Sequence, residues 1–222
     1  MQDFLTITGI VMKVVPIGEY DRRIVILTKE RGKISAFAKG ARRPSSTLVA
    51  ATNPFSFGEF KLYVGKTSYN VLEANISNYF EALRTDFEGA YYGMYFLEIA
   101  DYYARENNDE RELLKLVYQS LRAIVLPSIP NELIRYIYEI KAIAVNGEFP
   151  GIPVDKHYLE STEYTIQYIA NTNIEHLYNF TVTQEVLEEL HHIANLYRRK
   201  LWDKNFKSLE IIEQVRYNNR HV

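Results

Sequence analysis

Basic residues are concentrated in one short stretch of this sequence, residues 20–46. These 27 residues hold eight lysines and arginines and only two acidic residues. Clustered cations neutralise phosphate groups, so the chemistry that this composition favours is binding of a nucleic-acid backbone. The eight basic residues are Arg22, Arg23, Lys29, Arg31, Lys33, Lys39, Arg42 and Arg43.

Residues 33–39 alternate as a β-strand does, so successive side chains point to opposite faces. One face is apolar, and the opposite face carries Lys33, Ser35, Phe37 and Lys39. An aromatic ring between two lysines suits single-stranded nucleic acid, because the cations neutralise phosphates while the ring stacks on a base. The alternative interpretation is that Phe37 packs beneath a loop and that both lysines are only solvated.

A basic loop follows this strand directly and carries Arg42 and Arg43 after Gly40. We expect a flexible loop that adapts to a phosphate backbone without reading base sequence. A loop that serves only solubility is the alternative. Arg22 begins the preceding strand and is also a candidate, although the neighbouring Asp21 could pair with Arg22 or Arg23, which would make one of them structural.

No catalytic constellation accompanies these cations. The five histidines are scattered, and the sequence lacks phosphate-loop, hydrolase and dinucleotide-binding motifs. The absence of cysteine excludes disulfides, thiol catalysis and cysteine-ligated zinc. A nuclease or other hydrolase would need a carboxylate cluster at a strand end, and none is visible. We therefore expect a protein that is not an enzyme and holds neither zinc nor another cofactor.

The elements that must position the cations change type near residue 80. Residues 1–80 contain five short strands with a longer insertion after the third, which is the outline of an OB-fold barrel, although an SH3-like barrel would give similar signals. Residues 81–222 have helical periodicity, interrupted by an irregular segment at about 148–182. The predicted fold class is therefore α+β, with a five-stranded N-terminal OB-fold barrel followed by an all-helical C-terminal domain.

The two predicted domains have opposite charge. Residues 1–80 carry 11 basic and 6 acidic residues, whereas residues 81–222 carry 15 and 22, which suggests two kinds of partner. In the helical domain, Arg135 lies beside two tyrosines and suits an acidic and apolar peptide tail. Arg198 and Arg199 end the last long helix, where they complement its dipole or bind a ligand. The sequence contains neither a signal peptide nor an apolar run that could span a membrane, so we expect a cytoplasmic protein.

Residues 9–46 resemble the N-terminal domain of the RecO family of bacterial DNA repair proteins. The matching features are the turn GEYD at 18–21, the hairpin TKERGK at 28–33 and the loop KGARR at 39–43. A weaker match continues through the helices to YRRKL at 197–201 and KSLE at 207–210. The resemblance thus covers nearly the whole chain and is specific in its first 50 residues.

This resemblance implies a recombination mediator, associated with the nucleoid, that binds single- and double-stranded DNA and anneals complementary strands. Such proteins act with RecR, and in some cases RecF, to load RecA onto DNA coated by single-stranded DNA-binding protein, whose acidic C-terminal tail they contact. The DNA-binding residues of the family correspond here to Lys33, Lys39, Arg42 and Arg43, with Arg22 less certain. Many members have a four-cysteine zinc module where this chain has residues 148–182, so packing alone must hold that region together.

A different class of function stays open at this point. The barrel could be a protein-interaction adaptor without nucleic-acid binding, with the acidic helices as its scaffold. The sequence also leaves open the choice between DNA and RNA, the oligomeric state, and which helical face meets a partner.

Overall fold

A closed barrel of five strands forms the first part of the protein. The computed structural model of the whole chain describes residues 3–66, 68–126 and 128–219, without the side chains of 217–219. The order of the strands around the barrel is β1-β2-β3-β5-β4, and β3 pairs with β5 in parallel. This five-stranded closure confirms the predicted OB-fold. The strands are β1 (Phe4–Ile17), β2 (Asp21–Thr28), β3 (Gly32–Ala38), β4 (Phe57–Val64) and β5 (Tyr69–Asn78).

Side chains alternate between the two faces of each strand, and the apolar ones fill the barrel interior. On β3, Ile34, Ala36 and Ala38 are buried, whereas Ser35 is exposed and Phe37 is half-buried. Apolar side chains from the other strands complete this core. They include Ile7, Val11, Ile24, Ile26, Phe60, Leu62 and Val71. The predicted cationic and aromatic face of β3 therefore lies on the outside of the barrel.

Seven α-helices follow or interrupt the barrel in the described part of the chain. The short helix α1 (Leu48–Ala51) lies in the insertion between β3 and β4. The others are α2 (Phe87–Tyr103), α3 (Arg111–Val125), α4 (Asn131–Val145), α5 (Glu160–Asn171), α6 (Gln184–Leu201) and α7 (Lys207–Asn219). None of these described helices is long and apolar enough to cross a membrane.

The chain forms two compact units, which differ from the predicted division after residue 80. Residues 1–85 and 100–114 form the first unit, and residues 86–99 and 115–222 form the second. Residues 100–114 belong with the barrel because Gly32 pairs with Glu106 and the backbone N–H of Lys33 donates to the carbonyl oxygen of Arg105, at 3.0 Å. Sequence periodicity could not reveal this pairing, since the segment joins two helices.

Several aromatic side chains contact one another in the interior of the second unit. The ring of Phe96 stacks on Tyr138 with 4.2 Å between centroids, and Tyr95 meets Phe206 edge to face. The Tyr138 hydroxyl donates to the carbonyl oxygen of Phe96 at 2.8 Å, so its polar atom is satisfied within the core. Helix α4 also packs against α5 and α6.

The prediction of an irregular segment at about 148–182 is wrong for its middle part, where α5 forms. The buried face of α5 consists of Thr162, Thr165, Ile166 and Ile169, which follow helical spacing. Two of these four residues are threonines, so the apolar pattern in the sequence is weak. Helix α7 was also missed, since α6 was expected to be the last long helix.

Candidate nucleic-acid interface

The loop after β3 is held in place by backbone hydrogen bonds. Gly40 has a φ of +67°, and its N–H donates to the Asp21 carboxylate at 2.7 Å. The N–H of Arg42 donates to the carbonyl oxygen of Tyr20 at 2.9 Å, and Ala41 is fully buried. The loop that the sequence suggested to be flexible is therefore fixed to the start of β2.

Three cations lie on this fixed loop, and the ring of Tyr20, from the turn before β2, lies beside one of them. Lys39, Arg42 and Arg43 are exposed, and the Arg43 guanidinium lies 4.9 Å from the ring centroid of Tyr20. Arg42 donates to the carbonyl oxygen of Gly18 at 3.1 Å, while the Lys39 side chain makes no hydrogen bond or ion pair with the described residues. We call Tyr20, Lys39, Arg42 and Arg43 the basic corner.

Two acidic residues adjoin the basic corner, namely Asp21, whose carboxylate accepts from the Gly40 N–H, and Glu19. The exposed Glu19 forms a side-chain hydrogen bond with Tyr20, and this bond raises the pKa of the Tyr20 hydroxyl. The hydroxyl therefore stays neutral at physiological pH and adds no negative charge. The corner thus keeps three positive charges against the two carboxylates of Glu19 and Asp21.

The Arg22 side chain is engaged in hydrogen bonds within the protein. Its guanidinium donates to the carbonyl oxygen of Val49 at 2.8 Å, to the hydroxyl of Thr52 at 2.7 Å and to the amide oxygen of Asn53 at 3.1 Å. Burial and then the charge of Arg42 lower the pKa of Arg22. This predicted DNA-binding residue instead holds the insertion that contains α1, and Asp21 does not pair with it.

Lys33 is also engaged within the protein. Its ammonium group donates to the carbonyl oxygen of Asp101 at 2.7 Å and pairs with the Asp101 carboxylate at 3.3 Å. Lys13 reaches the other oxygen of the same carboxylate at 2.6 Å. Burial raises the pKa of Asp101, but its hydrogen bonds and charge interactions with the two lysines outweigh burial, and the net pKa is lowered. The structure thus removes Lys33 from the set of available cations.

The remaining basic residues of the cluster divide between two ends of the barrel. Lys29 and Arg31 lie at the turn between β2 and β3, at the opposite end of β3 from Lys39. β3 has seven residues, which at the usual rise per residue span roughly 20 Å. The cluster that is continuous in sequence is therefore not one surface.

Phe37 lies in a groove on the outside of the barrel. The groove has a volume of about 490 Å³, and we call it the outer groove. Phe37 pairs across the strands with Arg23 and, on its other side, with Asn70. The residues that line the groove are Arg23, Ser35, Phe37, Val64, Gly65, Lys66, Ser68, Tyr69 and Glu106.

Of these nine groove residues only Phe37 was a predicted site residue, and the charged or aromatic residues that the prediction missed are Arg23, Lys66, Tyr69 and Glu106. Oligonucleotides bind OB-folds on the face of strands 2 and 3 and on the loops between strands 1 and 2 and strands 4 and 5. Applying that rule to the predicted strands would have selected Arg23 and Lys66. Nothing in the sequence marks Glu106, because its place depends on the pairing with β3.

The predicted peptide-binding residue Arg135 is buried, with 4% of its side chain exposed. It pairs with Glu139 at 2.7 Å and lies between the rings of Tyr95 and Tyr136, 5.7 and 5.5 Å from their centroids. Burial opposes the charge of Arg135, but Glu139 outweighs it and keeps the pKa of the guanidinium above its usual value. Arg135 therefore cannot contact a peptide on the surface, so that prediction is wrong.

Arg198 and Arg199 differ in their availability. Arg198 is partly buried and pairs with Glu213 at 3.3 Å, and it also donates to the amide oxygen of Asn195 at 2.8 Å. Arg199 is exposed and lines a cavity of about 630 Å³ together with Lys200. The apolar side of this cavity consists of Pro150, Ile152, Pro153, Val154, Leu196 and Tyr197. We call it the proline cavity.

Metal-ligand geometry is absent from the described residues. No group of three or more histidine, aspartate or glutamate side chains lies close enough to hold a metal ion within that part of the chain. His192 and Asp155 form a pair at 2.8 Å, which the Tyr158 hydroxyl extends by donating to Asp155 at 2.5 Å. This pair joins α6 to the segment before α5.

Comparison with known proteins gives matches along most of the chain. The family model described as "Recombination protein O N terminal" matches residues 1–80, and "Recombination protein O C terminal" matches residues 84–151. A DNA repair protein RecO of Acetivibrio thermocellus is 30% identical, over 96% of this chain and 98% of its own length. The RecO of Clostridium novyi is 26% identical, over 94% of this chain and 93% of its own length. The RecO of Alkaliphilus metalliredigens is 34% identical, over 65% of this chain and 58% of its own length.

Proposed function

The chain belongs to the RecO family of DNA repair proteins, and from that premise we propose that its barrel binds DNA through the basic corner and the outer groove. The basic corner supplies cations for phosphates, and the groove supplies the half-buried ring of Phe37 for an unstacked base. The observation that carries this proposal is that three exposed cations lie on a rigid turn beside an aromatic-lined groove. Lys33 and Arg22 are not part of the proposed surface.

The proposed reaction is strand pairing without covalent chemistry. Two DNA strands repel each other through their phosphates, and cations shared between them lower that repulsion. Contacts between bases and aromatic rings leave hydrogen-bonding edges free to meet a complementary strand. No bond is made or broken in this scheme, so the protein needs neither a catalytic residue nor a cofactor.

The proposed setting of this reaction is repair of DNA on the bacterial nucleoid. There the protein would act with RecR, and with RecF where present, to load RecA onto DNA covered by single-stranded DNA-binding protein. The proline cavity suits the acidic tail of that covering protein, because Arg199 and Lys200 lie beside an apolar wall. We therefore propose Arg199, and not the buried Arg135, as the residue that contacts this partner.

The test of the DNA-binding surface is a charge-reversed variant in which Lys39, Arg42 and Arg43 are replaced by glutamate. Fluorescent oligonucleotides are titrated at several salt concentrations with the wild-type protein and the variant. Each lost phosphate contact lowers the slope of log affinity against log salt by about 0.7 on single strands, so a loss of about 2 is expected. The matched control replaces Lys29 and Arg31, which lie at the other end of β3, and should change the slope little.

Two outcomes would contradict the proposal in different ways. If the charge-reversed variant keeps the wild-type affinity and slope, DNA does not bind at the basic corner. If the wild-type protein binds no oligonucleotide even at low salt, the protein-interaction adaptor becomes the better description of the barrel.

A further inference from the structure

The outer groove contains one carboxylate among its cationic and polar residues. Glu106 lines it from the segment of residues 100–114, and its backbone pairs with Gly32 at the beginning of β3. Arg23 and Phe37 lie opposite each other near the end of β3 that leads to the basic corner. Glu106 is exposed, and its side chain forms no ion pair with the described residues. Within the groove, Glu106 therefore lies towards the beginning of β3 and Arg23 towards its end.

This arrangement of charge restricts how a nucleotide can lie in the groove. A phosphate is attracted to Arg23 and repelled by Glu106, and the Debye length of about 8 Å at physiological salt is too long to screen that repulsion within the groove. The sugar-phosphate part must therefore lie towards Arg23, and the base edge towards Glu106. The groove volume of about 490 Å³ lies within the range of roughly 300–1,000 Å³ typical of small-ligand sites.

The bases differ in what they can offer a carboxylate, which only accepts hydrogen bonds. Unpaired guanine presents an N–H and an amino group side by side, which match the two oxygens of a carboxylate. Cytosine and adenine present one amino group each. Thymine has a single N–H between two carbonyl oxygens, and those oxygens are repelled by a carboxylate.

We propose that Glu106 is a specificity-determining residue that gives the outer groove a preference for unpaired guanine and a disadvantage for thymine. The inference rests on the DNA-binding function proposed above and adds base selection to it. Phe37 stacks on the guanine, Arg23 contacts the adjoining phosphate, and Glu106 accepts the two hydrogen bonds from the base edge.

The experiment compares three oligonucleotides of equal length in competition titrations: oligothymidine, thymidine with isolated guanines, and the same sequence with inosine in place of guanine. Inosine keeps the ring N–H and lacks the amino group, so it removes one of the two hydrogen bonds. We expect the guanine-containing strand to bind at least about five-fold more tightly than oligothymidine, the low end for one bidentate base contact. Inosine should lie between the two.

The variant Glu106→Gln removes the charge and keeps the size of the side chain. It should abolish most of the guanine preference and raise the affinity for oligothymidine, because the repulsion of phosphates disappears. Glu59→Gln is the matched control, since Glu59 is an exposed carboxylate on β4 that does not line the groove. It should leave the order of the three strands unchanged.

The possible failures are distinguishable. If the wild-type protein binds all three strands equally, or if Glu106→Gln keeps the guanine preference, base selection by Glu106 is wrong while DNA binding stands. If none of the strands binds at low salt, the proposed function itself has failed.

Discussion

Lys33 and Lys39 point to the same side of β3, yet only one of them is available to a ligand. The ammonium group of Lys33 is bound to Asp101, whereas that of Lys39 is exposed at the basic corner. Arg22 and Arg43 differ in the same way, because Arg22 donates to the α1 insertion and Arg43 lies over Tyr20. The availability of a cation to phosphate thus depends on how many of its donors are engaged within the protein and on whether its side chain stays exposed.

A substitution of Phe37 tests the proposed interface at the scale of single residues. Stacking on a base contributes to DNA affinity, whereas contacts with phosphates also set its dependence on salt. Replacing Phe37 by alanine should weaken binding of single-stranded DNA by roughly 1–3 kcal/mol. The slope of affinity against salt should stay unchanged, since no phosphate contact is lost. Anisotropy titrations at several salt concentrations measure both quantities.

The control for that prediction is Phe4→Ala, because Phe4 is an exposed aromatic residue on β1, 54% exposed and outside the groove. It should leave DNA affinity near the wild-type value. Equal losses of affinity in the two variants would mean that Phe37 does not stack on a base.

At the scale of elements, the barrel is held to residues 100–114 by backbone pairing at one glycine. Gly32 is buried with a φ of +61°, and a Cβ added there would overlap the carbonyl oxygen of Arg105. Gly40 has a similar φ of +67°, but a Cβ there would meet only the Arg43 side chain, at 3.7 Å. Substitutions at these two glycines therefore distinguish the cost of a left-handed backbone conformation from the cost of the close approach of Arg105.

We expect Gly40→Ala to lower the free energy of unfolding by about 1–2 kcal/mol, the cost of a left-handed conformation for a residue with a Cβ. Gly32→Ala should lower it clearly more, because the backbone of residues 105–106 must also move. Urea unfolding of both variants tests this expectation. Equal losses would show that the approach of Arg105 to Gly32 is not tight in solution.

The segment around α5 gives a second prediction at this scale. Ile166 and Ile169 of α5, together with Ile174 and Leu177, are buried, so apolar packing accounts for the folding of this segment. Ile169→Ala should lower the free energy of unfolding by about 2–5 kcal/mol. Tyr164→Ala, on the same helix but 72% exposed, should lower it far less.

Treatment with a metal chelator should leave the unfolding midpoint of the wild-type protein unchanged, because we propose that packing alone holds this segment together. Thermal unfolding before and after chelation measures it. A lower midpoint after chelation would mean that a metal contributes to the fold.

For the whole molecule, buried tyrosines set how stability depends on pH. Burial raises the pKa of the Tyr92 hydroxyl to about 12 and raises those of Tyr95, Tyr136 and Tyr197 above their ordinary value. A raised pKa in the folded state means that the neutral hydroxyl is favoured there. Their contribution is therefore fully present below about pH 10, the unfolded pKa, and is lost as the pH rises towards the folded value.

We expect the free energy of unfolding to fall steeply above pH 10, by roughly 1.4 kcal/mol per pH unit for each such tyrosine. Tyr92→Phe should make that fall shallower without destabilising the protein at pH 7, because the buried Tyr92 hydroxyl has no hydrogen-bond partner among the described residues. Urea unfolding at pH 7, 10 and 11 tests both expectations. A fall equally steep in the variant would contradict them.

Local patterns in the sequence determined the barrel, the side of β3 that faces outward and the position of α4 (Asn131–Val145), because strand alternation and helical periodicity depend on neighbouring residues. The family resemblance had the same local basis, since its specific motifs lie within 50 residues. The tertiary structure alone decided which cations are free. Asp101 reaches Lys33 from 68 positions away, and Glu213 meets Arg198 from 15 positions away. Contacts between residues so far apart leave no periodic signal in the chain, which is why the sequence did not show that Lys33 and Arg22 are engaged within the protein or that Glu106 lines the outer groove.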